Sequence, residues 1–161
     1  MVLIISLVVL LILTILGTAA MKTTVVEERL TGFTRNKQIS FGSSEAGLRT
    51  GETVADGLPL SAPFGVSGLF APNPAAPVWL DSTLLPSWIS LGAGAVVGVN
   101  QQPRYIMEMT GSVPRDSNCA LDIDASSNQD CWRYNYRVTS QGSGLNSNTT
   151  SMVQSTILSR K

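Results

Sequence analysis

The first 52 residues carry two successive helical patterns. Residues 1–21, MVLIISLVVLLILTILGTAAM, are apolar on every side and contain no charged residue. At a rise of about 1.5 Å per residue they form roughly 32 Å of helix, enough to cross a hydrocarbon core of about 30 Å. Because every backbone polar group in lipid must be bonded within its own segment, this stretch is predicted to be a transmembrane helix.

The second pattern runs from residue 22 to about residue 52 and contains no proline. Apolar residues recur at spacings of three, four or nearby multiples, which predicts one apolar stripe on an amphipathic helix. The stripe consists of Val26, Leu30, Phe33, Phe41 and Leu48, and it is interrupted at Lys37 and Ser44. We therefore expect one helix of about 50 residues, with a domain packed against the stripe of its second half.

Residues 53–101 form a separate zone that contains most of the prolines and many glycines. The helix is predicted to end near Gly51–Gly57, and the zone to consist of loop and short turns. Its large apolar residues are predicted either to hold the loop on a sheet or to contact a neighbouring subunit. These residues are Phe70, Trp79, Leu84, Leu85 and Trp88.

The last third of the chain alternates between apolar and polar residues and predicts three strands. They cover Arg104–Thr110, Trp132–Thr139 and Thr150–Ser159, with a loose hairpin at Gln141–Thr149 between the last two. An antiparallel meander of this kind has one face available to cover the amphipathic half of the long helix. The predicted fold class is α+β.

Composition removes several function classes. The chain has 161 residues, 11 basic and 11 acidic side chains, no histidine and a pI of about 6.2. The neutral balance gives no general nucleic-acid footprint. Without histidine, His-based triads and His metal ligands are excluded. No motif supports a Ser–Lys or carboxylate-pair mechanism, so the chain is not expected to be an enzyme, and no organic cofactor is expected.

Cys119 and Cys131 are the only cysteines, and an even count in an exported chain favours a disulfide. The enclosed acids Asp122, Asp124 and Asp130 carry oxygen ligands of the type that calcium takes. The run lacks the turn glycine and the terminal Glu of an EF-hand, so a solvated acidic loop is the alternative. Two thiols without histidine do not make a zinc site.

Several short segments resemble a known family. The N-terminal apolar run, the junction AAMKTTVVEERLTGF and the later SSEAGLRTGE resemble the minor pilins of type IV pili, in particular the PilX type. The resemblance extends to QPRYIMEM, YRVTSQGSG and VQSTILSRK, and it fails over residues 54–100. It implies a type IV pilin-like fold and a fibre subunit that sits in the inner membrane before it assembles with copies of itself or with homologous pilins.

The resemblance also implies roles for four residues of the apolar helix. Most major pilins carry Glu at the fifth mature position, where it neutralises the N-terminal amine of a neighbouring subunit, whereas this chain has Ile5. Some minor pilins and pseudopilins also lack that acid. The amine of Met1 would then be methylated, or be met by a backbone carbonyl or a hydroxyl. Weak helix formers begin at Gly17, and Lys22 lies where similar pilins commonly carry a proline, so the helix is expected to unwind near residues 17–26 in the assembled state.

These observations predict a division at residue 24. Residues 1–24 are the transmembrane and polymerisation half of the helix. Residues 25–161 form the head, with helix at 25–52, loop at 53–101 and sheet at 102–161. Because the apolar run begins at Met1 with no basic residue before it, we expect a leader to have been removed. A sequence that begins part-way along, a signal anchor and an uncleaved signal peptide are the alternatives.

Two function classes follow. The first is a structural pilin that polymerises through its N-terminal helix, in a filament that supports adhesion, motility or DNA uptake. Because Ile5 leaves the N-terminal amine without an acid, a minor or tip position is favoured within this class. The second class is a non-polymeric, membrane-anchored periplasmic domain or a type II secretion pseudopilin. The two differ in whether the chain is found in sheared surface fibres or is retained in the membrane.

Overall fold

A computed structural model describes residues 2–58, 64–72, 76–121 and 131–159. Helix α1 covers Val2–Gly57, so it ends where the glycines and the proline-rich zone predict. The chain forms two compact units, Met1–Asn36 and Lys37–Lys161. The first consists of the N-terminal part of α1. The second unit, which the name head denotes from here on, contains the rest of α1 and all of the sheet.

The sheet of the head confirms the predicted meander and extends it. Strands β3 (Arg104–Pro114), β4 (Trp132–Ser143) and β5 (Thr150–Leu158) pair antiparallel in sequence order. Two short strands, β1 (Leu69–Phe70) and β2 (Ile89–Ser90), pair with β3 on its other edge, β1 in parallel and β2 antiparallel. The fold is therefore α+β, with five strands among the described residues rather than the three predicted. Strand β4 also runs four residues further than expected, which shortens the hairpin loop.

One face of the sheet packs on α1. Tyr105 and Met107 of β3 lie beside Tyr136 and Val138 of β4, and all four are buried with Ala55 of the helix. The alternation of β4 is therefore as predicted, since every second side chain from Trp132 onward points to this side. Partly buried apolar residues close the edges of the cluster, namely Leu48, Val54, Leu58, Ile89, Leu91, Met109, Tyr134 and Ile157.

The proline-rich zone packs on the other face of the sheet, above Ile106. Val78 and Trp88 are buried with Ile106, and Phe70, Trp79 and Leu84 pack around them. This confirms that aromatic residues hold the loop on the sheet. The side chain of Leu85 lies outside the described part of the chain. Two short 3-10 helices, Val78–Leu80 and Ser82–Ser87, and the five-residue helix α2, Ser117–Leu121, complete the described elements.

Arg104 links this loop to the sheet. Its guanidinium carbon lies 5.3 Å from the ring centre of Trp88, within cation–π range. Its Nε and Nη2 atoms both donate to Oε1 of Gln141, at 3.0 and 2.7 Å. Further along the loop, Gln102 exchanges two hydrogen bonds with the backbone of Val96, at 3.0 and 2.9 Å. The contacts of Arg104 and of Gln102 thus fix the loop at two places.

Candidate assembly surface

Every described residue of α1 from Val2 to Arg35 is exposed. Thirteen of the large aliphatic side chains between Val2 and Leu16 are at least 46% exposed. At about 1.5–3 kcal/mol each, burying them is worth roughly 20–40 kcal/mol relative to water. Helix α1 is long and apolar enough to cross a membrane, and none of its most apolar stretch is buried. This surface requires lipid or other protein around it.

The few hydroxyls within the apolar run bond to their own helix. Ser6 donates to the carbonyl of Leu3 at 2.9 Å, and Thr14 donates to that of Leu10 at 2.8 Å. Thr18 donates to the carbonyl of Ile15 in the same way, at 3.0 Å. Internal bonds of this kind remove the cost of placing a hydroxyl donor in an apolar medium. Each hydroxyl oxygen keeps lone pairs that can accept from a neighbouring chain.

The predicted assembly residues lie along this exposed helix. Ile5 is 63% exposed, and Gly17 and Lys22 are exposed as well, whereas Met1 lies outside the described residues. Lys22 follows Ile5 by 17 positions, which correspond to about 25 Å of helix, so the two mark the opposite ends of one membrane-sized segment. Their roles in assembly stay predictions. The helix is continuous through Gly17 in the single chain, and the unwinding predicted for the assembled state remains to be tested.

The prediction that the apolar stripe on the second half of α1 packs on the head is largely wrong. Val26, Leu30, Phe33 and Phe41 are between 51 and 64% exposed, and Leu48 alone of the five joins the core. The helix instead buries small residues against the sheet. They are Ser40, Ser43, Ser44, Gly47, Gly51 and Ala55.

Close backbone approach explains this choice of small residues. A β-carbon at Gly47 would overlap the Ser140 hydroxyl, and one at Gly51 would lie 2.6 Å from a methyl of Val138. Ser40 also shares a hydrogen bond of 2.6 Å with Ser151 of β5. The signal was present in the sequence as serines and glycines at spacings of three and four. Because serine and glycine are not large apolar residues, apolar periodicity does not reveal this face.

A consequence is that α1 has an exposed apolar stripe that the head does not use. We define the outer stripe as Val26, Leu30 and Phe33, all in the first compact unit. The three residues lie on one side of the helix because their spacings are close to whole turns. They continue the apolar surface beyond the membrane-sized segment. The ion pair between Glu45 and Arg49, at 3.7 Å, lies further along the helix, and both of its side chains are exposed.

The ion pair and the shifted phenols described in the head have structural roles. Glu108 is buried and pairs with Arg137 directly across from it on β4, at 3.3 Å. Burial raises the pKa of the Tyr105 phenol above its ordinary value of 10.0. Burial also raises the pKa of Tyr136, with a smaller contribution from the neighbouring Tyr134. These groups lie in or beside the core and not in a cleft.

A disulfide joins Cys119 on α2 to Cys131, with 5.2 Å between the α-carbons. The bond ties α2 to the start of β4, where the Arg115 amide also donates to the carbonyl of Cys131 at 2.8 Å. The predicted calcium ligands Asp122, Asp124 and Asp130 lie outside the described residues, and that site stays a prediction. Across the described ranges, no group of three or more acidic, cysteine or histidine side chains lies together as a metal site requires.

Comparison with known families covers almost the whole chain. The model of the PilX N-terminal domain matches residues 1–49, and the model of the type IV pilus assembly protein PilX C-terminal domain matches residues 36–159. Searches of curated proteins and of solved structures gave no match. The two family matches follow each other in order along the helix and the sheet described above. The chain therefore belongs to the PilX family of type IV pilus minor pilins.

Proposed function

We propose that this chain is a minor subunit of a type IV pilus and that it assembles through residues 1–24 of α1 with other pilins. The observation that carries the proposal is the exposure of every residue from Val2 to Arg35. Before assembly, lipid of the inner membrane covers the apolar part of this helix. After extraction from the membrane, only the helices of other subunits offer an equivalent apolar environment.

The outer stripe supports assembly more specifically than the membrane-sized segment does. A membrane anchor requires apolar residues only as far as the hydrocarbon core extends. Val26, Leu30 and Phe33 lie beyond Lys22 and Thr23, outside that core, yet they remain more than half exposed. Large apolar side chains repeated along one side of a helix are typical of a surface that packs on protein. This favours a polymerising subunit over a non-polymeric anchored domain.

Ile5 favours a minor or tip position. An unpaired ammonium buried among apolar helices is costly, and Ile5 cannot supply a charge for a neighbour's amine. A subunit at the tip has fewer neighbours around its N-terminus than a subunit in the filament body. The hydroxyl oxygens of Ser6 and Thr14 remain available as acceptors. Adhesion, motility and DNA uptake are the proposed properties of the filament that carries this chain.

A pair of matched variants tests the proposal. Phe33→Asp places a charge on the outer stripe, whereas Thr31→Asp places the same charge on an exposed residue on the opposite side of the helix. We expect the Phe33→Asp chain to reach the membrane but to be lost from sheared surface fibres, and the Thr31→Asp chain to remain in them. Equal incorporation of both variants would show that the outer stripe is not part of the assembly surface.

A further inference from the structure

Strand β5 forms one edge of the sheet, beyond β4. The carbonyl of Thr149 accepts from the Gly144 amide at 2.8 Å, and the amide of Ser159 donates to the Tyr134 carbonyl at 2.9 Å. Because backbone groups alternate in direction along a strand, the odd-numbered residues of β5 bond to β4. The even-numbered residues direct their N–H and C=O groups away from the sheet. They are Met152, Gln154, Thr156 and Leu158.

This outward row is open. All four of its residues are exposed, and within the described part of the chain their outward backbone groups have no hydrogen-bond partner. One end of the row is closed by α1, because Nζ of Lys37 donates to the carbonyl of Thr150 at 2.9 Å. The open edge therefore runs from Met152 to Leu158 and is centred on Ser155.

The open edge lacks the devices that usually prevent edge strands from pairing. Residues 150–158, TSMVQSTIL, contain no charged residue, proline or glycine. The pairing of β4 with β5 runs without a bulge from Asn135–Leu158 to Ser143–Thr150. Native proteins normally protect an exposed edge with lysine, proline, a bulge or a covering segment. An uncharged edge without a bulge, which no segment covers within the described part of the chain, favours a strand that pairs with another strand in its functional state.

The sequence of the open edge points to the partner, because its apolar and polar positions follow the same order in both directions from Ser155. Met152 mirrors Leu158, and Gln154 mirrors Thr156. The residues of the other face follow the same order, with Val153 mirroring Ile157. An antiparallel second copy would therefore place apolar side chains opposite apolar ones and an amide opposite a hydroxyl, with no charge in the pair.

We propose that β5 pairs antiparallel with β5 of a second copy of this chain, about a two-fold axis at Ser155. Gln154 then lies opposite Thr156 of the second copy, and Met152 lies opposite its Leu158. Residues whose backbone groups point outward form the hydrogen-bonded pairs, so the four pairs exchange about eight backbone hydrogen bonds. The two sheets continue into one across the axis.

This contact differs from the side-by-side packing of subunits in one filament. Within the head, Ser40 of α1 bonds to Ser151, and Glu52 accepts from Ser155 at 2.5 Å, so the helix and β5 run in the same direction. Two copies related by the axis thus have the head portions of α1 running in opposite directions. The pairing joins copies that do not point the same way, and it is independent of assembly through residues 1–24.

Register-specific cross-linking tests the pairing. Gln154→Cys and Thr156→Cys chains are purified at full length in detergent, with the Cys119–Cys131 disulfide intact, and are oxidised alone and mixed. We expect the mixture to form a disulfide-linked dimer at least tenfold faster than either chain alone, since positions 154 and 156 lie opposite each other only between the two variants. Ser147→Cys, exposed in the adjacent turn, is the control. Equal rates in all samples would overturn the proposal.

Hydrogen exchange in variants that carry a new charge on β5 is a second test of the pairing. In the wild type, the amides of Met152, Gln154, Thr156 and Leu158 should exchange more slowly as protein concentration rises. Thr156→Lys should abolish this concentration dependence while the odd-numbered amides stay protected, because those bond to β4. Adding a Gln154→Glu chain should restore it, since the new charges then face each other. Even-numbered amides that exchange at one rate at every concentration in the wild type would contradict the pairing.

Discussion

Gly142 of β4 lies directly against the backbone of Ser44 of α1. A β-carbon at Gly142 would overlap the amide nitrogen of Ser44 and lie 2.7 Å from the carbonyl oxygen of Ser40. Both neighbours are helix backbone, which cannot rotate away as a side chain does. This approach sets the distance between helix and sheet, and it explains why the helix buries serine and glycine there instead of large apolar residues.

Replacing Gly142 with alanine should therefore destabilise the head. Overpacking against a fixed backbone typically costs about 1–3 kcal/mol and sometimes more. Gly42→Ala is the matched control, because Gly42 lies on the exposed side of α1 with open space around it. That change should stabilise the helix by about 0.5–1 kcal/mol. Denaturant unfolding of the two full-length variants in detergent would measure both effects, and equal midpoints would contradict the close approach.

The exposed position of Phe41 gives a second prediction. Phe41→Ala should change the free energy of unfolding of the head by no more than about 0.5 kcal/mol, as is usual for surface positions. Leu48→Ala should cost about 2 kcal/mol, because Leu48 packs against the core cluster. Unfolding curves of the two variants distinguish the exposed side of α1 from its buried face. A large loss of stability in Phe41→Ala would show that Phe41 packs in the core of the head.

A feature of the fold can be predicted from the sequence only where it leaves a recognisable pattern of residues. The alternation from Trp132 to Val138 predicts β4 and its inward face because half-buried strands leave a period of two. The Ser and Gly face of α1 leaves no apolar signal, so the apolar pattern predicts a packed stripe that Phe41 does not join. The pairing of Leu69 with Met107, 38 residues away, depends on how the loop folds back, and local patterns do not record that.

The raised pKa values of Tyr105 and Tyr136 predict a loss of stability at alkaline pH. In the folded head these phenols stay protonated to higher pH than in the unfolded chain, where they titrate near 10.0. Their contribution is thus complete below about pH 10 and is lost as the pH rises through the raised values. Unfolding measured between about pH 8 and 11 should show a shallower decline in a Tyr105→Phe, Tyr136→Phe double variant. Identical slopes would contradict the burial of the two phenols.

The disulfide between Cys119 and Cys131 should stabilise the head measurably. Closing a loop with a sequence separation of 12 contributes roughly 3 kcal/mol in the chain-entropy model. Reducing agent should therefore lower the unfolding midpoint of the wild type but leave a Cys119→Ser, Cys131→Ser variant unchanged. Mass spectrometry of the unreduced protein provides an independent check, since two alkylated thiols would show that the bond does not form.

The proposed function requires this chain to leave the membrane as a minor subunit of a pilus. Peptide mapping of sheared and purified surface filaments, with the residual membrane fraction measured in parallel, shows whether it does. We predict peptides of this chain in the filaments at a small fraction of the total pilin mass. Complete retention in the membrane fraction would contradict assembly, and filaments composed almost wholly of this chain would contradict the minor role.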